Sequence, residues 1–296
     1  MTDIHPRHYR IALAGIILLA AALRFTIAPQ IGVESRGDML LFQLWGYSAE
    51  QYGLTEAYRH PIEHPEYRKI ALPNYLPPYL LILQGLSWYH DTLEPGTTVG
   101  TPLASVVFKT PAILVELFTI FLLAGILRRR AGVKWALFGA VVYALHPAIV
   151  FTTAGWGQVD SFTALSMVLC LLALERRRYS WAIVAWTVGF FFKMQVVALL
   201  PLLAWEVFRN VRPRDLYQPI LSGLATAVVA TAPFLFTGKI LDVSRVITGV
   251  AGQYPYPSAN AFNFWWLFSG GYWTDRSDLT PFLGLPLMRW GAVLFV

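Results

Sequence analysis

The sequence predicts an all-α polytopic membrane protein, and three observations carry that prediction. Apolar residues make up 56% of the 296-residue chain and charged residues only 14%, where a soluble globular domain carries about 25% charged residues. Mean hydropathy is +0.51, too apolar for a disordered chain. Several apolar runs approach the roughly 20 residues that a helix needs to cross the hydrocarbon core. This balance argues against a soluble enzyme. We expect one transmembrane domain over residues 1–296. The single cysteine, Cys170, lies in an apolar run. It leaves no intramolecular disulfide and no cysteine-based metal site.

The first apolar run, Ile11–Ala28, follows Arg7 and Arg10 and continues through Arg24 and Thr26 with no clear cleavage context. It reads as an uncleaved signal-anchor rather than a removed signal peptide. Leu103–Leu127, Trp135–Thr153 and Leu216–Phe236 also approach or pass spanning length. Ser161–Leu174, Trp181–Phe192 and Val196–Phe208 are shorter and must borrow polar flanks or line a cavity. Pro281–Val296 stops in mid-run, so further helices are expected beyond it. Tyr79–Tyr89 is too short to span and fits an interfacial or re-entrant helix.

Charge parity supports that exclusion. With Tyr79–Tyr89 left out, Arg128–Arg130, Arg176–Arg178 and Arg209/Arg212/Arg214 all share the side of the N-terminus. That side then holds 12 Lys/Arg and 3 Asp/Glu, and the other holds 8 Lys/Arg and 12 Asp/Glu. This is the positive-inside pattern. The net charge of +6 is therefore a topology signal and not a nucleic-acid footprint. Three outer regions follow: a long loop over 29–102, the turn Ala154–Asp160, and a second large loop over 237–280. The first is rich in Trp, Tyr and Pro, so it is expected to fold against the membrane surface. The Arg-rich inner turns and compact loops favour a prokaryotic plasma membrane.

The polar residues that carry chemistry fall on the outer side. Asp38 follows Glu34-Ser35-Arg36-Gly37 and precedes Phe42, Trp45 and Tyr47, whose spacing suggests a helix lying in the interface. A carboxylate there is placed either to take a proton from a hydroxyl as general base or to cap that helix. His60, Glu63, His64 and Glu66 match no specific zinc spacing, and solvated loop residues are the simpler reading. Gln158 and Asp160, in Gly155-Trp156-Gly157-Gln158-Val159-Asp160-Ser161, sit at the outer mouth of two helices. Asp160 is both a functional candidate at membrane depth and a sensible N-cap for the next helix. Lys193-Met194-Gln195 joins two runs too short to lift Lys193 clear of the membrane. A lysine at that depth costs about 2.5–3.5 kcal/mol on insertion scales. A phosphate partner offsets this, or the lysine snorkels. Lys109 invites the same two readings, and Arg245 is a further candidate anion contact. Asn260, Asn263, Trp265 and Trp266 either stack on a sugar ring or form an aromatic belt.

Taken in order, several motifs carry a resemblance. They are Gly37-Asp38 with Trp45, Asn74-Tyr75-Leu76-Pro77-Pro78-Tyr79, Phe108-Lys109-Thr110-Pro111, His146-Pro147, Trp156-Gly157-Gln158-Val159-Asp160-Ser161, Lys193-Met194-Gln195 and Asn260–Trp266. The set resembles the membrane glycosyltransferases of the GT-C class. It is most similar to the endoplasmic-reticulum glucosyltransferases that extend the lipid-linked oligosaccharide and to bacterial relatives of the second mannosyltransferase of the GPI-anchor pathway. The resemblance implies a GT-C-like helical bundle whose long first loop carries interfacial helices. It also implies an essential acid in that loop, matched by Asp38, and inverting transfer of a hexose from a polyprenyl-phosphate donor to a glycan, lipid or protein acceptor. Lys109, Lys193 and Arg245 are the implied contacts of the donor phosphate. Glu34, Tyr75, Gln158, Asp160, Gln195, Asn263 and Trp265 are the candidate substrate contacts. Phosphate is a good leaving group, so no cofactor is required and a divalent metal is optional. Asp38 stands where typical members carry an acidic pair. Two other readings remain: a transporter or flippase for an anionic lipid, although no internal repeat is present, and a non-catalytic assembly partner.

Overall fold

The computed structural model describes residues 5–29, 38–64, 69–97, 99–250, 255–257, 264–269 and 277–295. The chain forms two compact units, Met1–Val243 and Ser244–Val296.

The first unit is a helical bundle. Its elements are α1 (Pro6–Ile27), α2 (Asp38–Tyr52), the antiparallel pair β1 (Ile62–His64) and β2 (Lys69–Ala71), α3 (Pro77–Leu93), α4 (Pro102–Ala131), α5 (Val133–Leu145) and α6 (Pro147–Val150). A π-helical turn over Phe151–Trp156 continues α6. Then come α7 (Asp160–Glu175), α8 (Tyr179–Phe192), a 3-10 turn over Met194–Leu199, α9 (Leu200–Asn210) and α10 (Tyr217–Phe236). Helix α11 (Ile240–Val250) runs across the boundary between the units. The second unit holds α12 (Phe264–Ser269), the two-residue strands β3 (Pro281–Phe282) and β4 (Leu285–Pro286), and α13 (Leu287–Phe295).

Among the described residues, three helical segments are long and apolar enough to cross a membrane: Pro6–Ile27, Pro102–Ala131 and Pro213–Phe236. The bent pair α5 and α6 with its π turn makes a fourth if counted as one span. The chain is therefore an all-α membrane protein. Large apolar side chains such as Leu18, Phe118, Phe121, Phe138 and Val229 stand exposed on these helices, as lipid-facing residues do. The helices that touch do so through small residues. Ala20, Ala124, Ala136, Ala140 and Ala144 let α1, α4 and α5 approach closely. A second cluster around Cys170, Ala182, Leu203 and Val207 joins α7, α8 and α9.

Three elements differ from the sequence expectation. The run Trp135–Thr153 is broken, because Pro147 cannot continue the helix, and the axis bends by 49°. Helix α2 does not lie with one face open. Met39, Leu40, Phe42, Leu44, Trp45 and Ala49 are all buried, because Gly46 lets α3 approach. A Cβ on Gly46 would stand 2.6 Å from the Leu83 carbonyl oxygen. Finally, the run from Pro281 begins as a tight hairpin, turned by Leu283 and Gly284 at φ +47° and +83°, and becomes helical only at Leu287.

Candidate functional site

The site grows from two breaks in helical structure. At the first, the π turn ends on Gly157, whose φ of +84° lies in the left-handed region that glycine adopts without strain. A Cβ there would meet Met39 Cε at 2.0 Å, so this glycine also lets the turn pack against the start of α2. That contact brings Gln158 to Asp38. The Gln158 amide donates to Asp38 Oδ2 at 2.5 Å across 120 residues of chain. Gln158 is 5% exposed, and Asp38 is half-buried at the first residue of α2.

At the second break, Lys193 takes an extended conformation between α8 and the 3-10 turn. Its ammonium donates to Asp160 Oδ1 at 2.6 Å. The lysine is 20% exposed and the aspartate 45%. Asp160 opens α7 in its first turn, where a carboxylate is favoured by the helix dipole, but the N-cap itself is Val159, with no side-chain cap. The Asp160 side chain serves Lys193 instead.

An aromatic cluster that includes Tyr79, which feels the Asp38 charge, lies near Asp38. Phe42, Trp45, Tyr75 and Tyr79 pack with ring centroids 5.1–6.0 Å apart. Burial first, then the neighbouring Tyr75 and the Asp38 carboxylate, push the Tyr79 phenol above its ordinary range. An apolar cavity of about 330 Å³ is lined by Pro77, Pro78, Leu81, Phe191, Val229 and Phe192, the residue before Lys193, among others. It lies where α3, α8 and α10 meet.

Lys109 has a different environment from the one the sequence suggested. It is fully buried, and its ammonium donates at 2.9 Å to each of the Ala28, Ala154 and Gly155 carbonyls. These carbonyls end α1 and the π turn, where the helix leaves its last acceptors unsatisfied and the dipole favours a cation. Through these three bonds Lys109 ties two helix ends together behind the Gly157 turn.

Sequence reasoning missed a second tie of this kind. Arg24, fully buried, pairs with Glu116 at 2.6 Å and donates to the Ala144 carbonyl at 2.9 Å. The helix break at His146-Pro147 leaves that carbonyl among the last of α5, which have no helical donor. The available signal was complementary lone charges, one in each of two apolar runs.

The other predicted residues fall as follows. Tyr75 belongs to the ring cluster. Gln195 is exposed on the 3-10 turn. Arg245 is exposed on α11, within the second unit. Trp265, also in that unit, is buried against Phe282 with centroids 5.7 Å apart. Glu34, Asn260 and Asn263 lie outside the described residues, as does Glu66. No group of three or more His, Cys, Asp or Glu able to hold a metal ion occurs among the described residues.

No protein-family model matches the chain, and no curated protein matches it.

Proposed function

We propose that this protein is an inverting glycosyltransferase that moves a hexose, mannose or glucose, from a polyprenyl-phosphate donor to an acceptor hydroxyl at the outer face of a prokaryotic plasma membrane. The observation that carries the reading is the Asp38–Gln158 contact, which sets a half-buried carboxylate beside an aromatic wall and two residues along the chain from the Asp160–Lys193 pair.

In this mechanism the polyprenyl chain occupies the apolar cavity between α3, α8 and α10, and the donor phosphate meets Lys193 at its rim. Gln158 holds one oxygen of Asp38 and leaves the other for the acceptor. The acceptor hydroxyl gives its proton to Asp38 as its oxygen attacks the anomeric carbon from the face opposite the phosphate. The bond from that carbon to the phosphate oxygen breaks, and the electron pair leaves with the phosphate, whose charge Lys193 stabilises. The rings of Phe42, Trp45, Tyr75 and Tyr79 limit water and so limit hydrolysis.

The test is turnover by purified protein in lipid nanodiscs, offered a panel of labelled polyprenyl-phosphate hexoses and simple glycoside acceptors. One donor is expected to be consumed, with the product inverted at the anomeric carbon. A product of retained configuration, or no turnover of any donor by well-folded protein, contradicts the proposal.

A further inference from the structure

A second cavity, of about 370 Å³, lies at the other end of α7. With 16 residues in α7, it stands about 24 Å from Asp160 along the helix. Arg177, Arg178, Tyr179, Trp181, Asp215 and Gln218 are among its lining residues. Nothing in the proposed transfer uses it.

Four features of this cavity point to an anion. Arg177 and Arg178 form no ion pair among the described residues, although both are exposed beside an apolar bundle. One helix, α8, begins at its wall after Arg178 with no side-chain cap, and α10 lines it with Gln218 and Pro219. The first N–H groups of α8 and its positive dipole end are therefore open to an acceptor. The Ser222 hydroxyl, on α10, donates to the Pro219 carbonyl of its own helix at 2.9 Å and lies 3.4 Å from the Ser180 carbonyl of α8. The one carboxylate in the wall, Asp215, lies 3.9 Å from Arg212, so its charge is partly offset.

The fourth feature is a backbone cost. The chain leaves α7 with Arg178 N–H donating to the Ala173 carbonyl and Arg177 N–H to the Leu174 carbonyl, the Schellman pattern. Its left-handed position belongs by preference to glycine or asparagine. Here it is Arg177, at φ +55°. The strain is accepted and the guanidinium is delivered to the cavity wall.

The surroundings distinguish a lipid from a free anion. Trp181, Tyr217, Ile220 and Leu221, in the first turns of α8 and α10, are each more than half exposed. They form an apolar flank that acyl chains would cover, and they put aromatic rings at headgroup level. We propose that this cavity binds the phosphate of an anionic phospholipid headgroup, held by Arg177, Arg178 and the start of α8. It is the kind of basic pocket between helices that suits such a headgroup.

The test is thermal unfolding of the full chain in neutral detergent, titrated separately with phosphatidylglycerol, phosphatidylcholine and inorganic phosphate. Phosphatidylglycerol is expected to raise the melting temperature saturably, and the other two are not. The variant Arg177→Asn/Arg178→Gln, with asparagine chosen to keep the left-handed turn, should weaken the apparent affinity about tenfold or more. Arg178→Gln alone covers the case in which the double variant folds poorly. Arg129→Gln, a change to an exposed arginine outside the cavity, should leave the titration unchanged. Equal weakening by Arg129→Gln, or equal stabilisation by phosphatidylcholine, overturns the proposal. A shift with inorganic phosphate as large as that with phosphatidylglycerol overturns the lipid assignment.

Discussion

Lys109 and Lys193 make an instructive pair. Each is a lone lysine beside an apolar run, and the sequence offers both as contacts for the same donor phosphate. In the structure, Lys109 is fully buried and donates to three carbonyls of two helix ends. Lys193 sits at a helix break, partly open, with one carboxylate for company. What separates them is the supply of orphaned backbone acceptors. A cation at membrane depth satisfies those first, because each one left bare costs about 1–3 kcal/mol. Where none is in reach, the ammonium remains available for a ligand.

The comparison can be broken by substitution. Lys109→Met strands three buried carbonyls, so the expected loss is about 3 kcal/mol or more, read as a collapse of the melting transition in detergent. Lys193→Met leaves Asp160 with access to water. Its expected cost in stability is within about 1 kcal/mol, while transfer falls about 100-fold or more, as removal of a charge-stabilising donor does. Loss of activity at full stability for Lys109→Met would reverse the assignment of the two lysines.

Arg24 and Glu116 extend the lesson to a buried pair. Arg24→Leu and Glu116→Leu alone are each expected to cost about 3–5 kcal/mol, because each leaves an uncompensated charge. The double leucine variant should recover much of that loss. The recovery should be incomplete, since the Ala144 carbonyl would lose the Arg24 donor that replaces its helical one. A double variant no better than the singles would show that the ties to the backbone, and not the ion pair, dominate.

The smallest expected effect is at the surface. Lys239 donates to Glu56, and this hydrogen bond, above all, holds the Glu56 carboxyl below its ordinary 4.5. A carboxyl depressed in the folded state stabilises above its unfolded value, and the contribution fades as pH falls through the lower folded one. The advantage of wild type over Glu56→Gln in melting temperature should therefore be present near neutrality and vanish in acid. An advantage that grows in acid would contradict the pairing.

Much of the fold was legible in the sequence because long apolar runs translate directly into helices. Pro6–Ile27, Pro102–Ala131 and Tyr217–Phe236 overlie the expected runs closely. The break at Pro147 was legible from its proline alone, yet its consequence was not. That a π turn would follow, and that it would end at Gly157 against Met39, depends on packing between distant segments. The site divides in the same way. Asp38, Gln158, Asp160 and Lys193 stood out as polar residues at helix ends. Their pairing, Gln158 with Asp38 and Asp160 with Lys193, was not foreseen, because the partners lie 120 and 33 residues apart in the chain. Lys109 and Lys193 looked alike because a sequence does not display which carbonyls are left without donors.

The central claim is that Asp38 takes the acceptor's proton. Donor consumption by wild type and by Asp38→Asn, compared in the same nanodiscs at equal fold and equal lipid content, tests it most directly. Asparagine keeps the size and the contact with Gln158 but has no carboxylate to receive a proton. The account predicts transfer in the wild type and loss of about 100-fold or more in the variant, at the lower end of what a lost general base costs. Transfer by Asp38→Asn at the wild-type rate would contradict it.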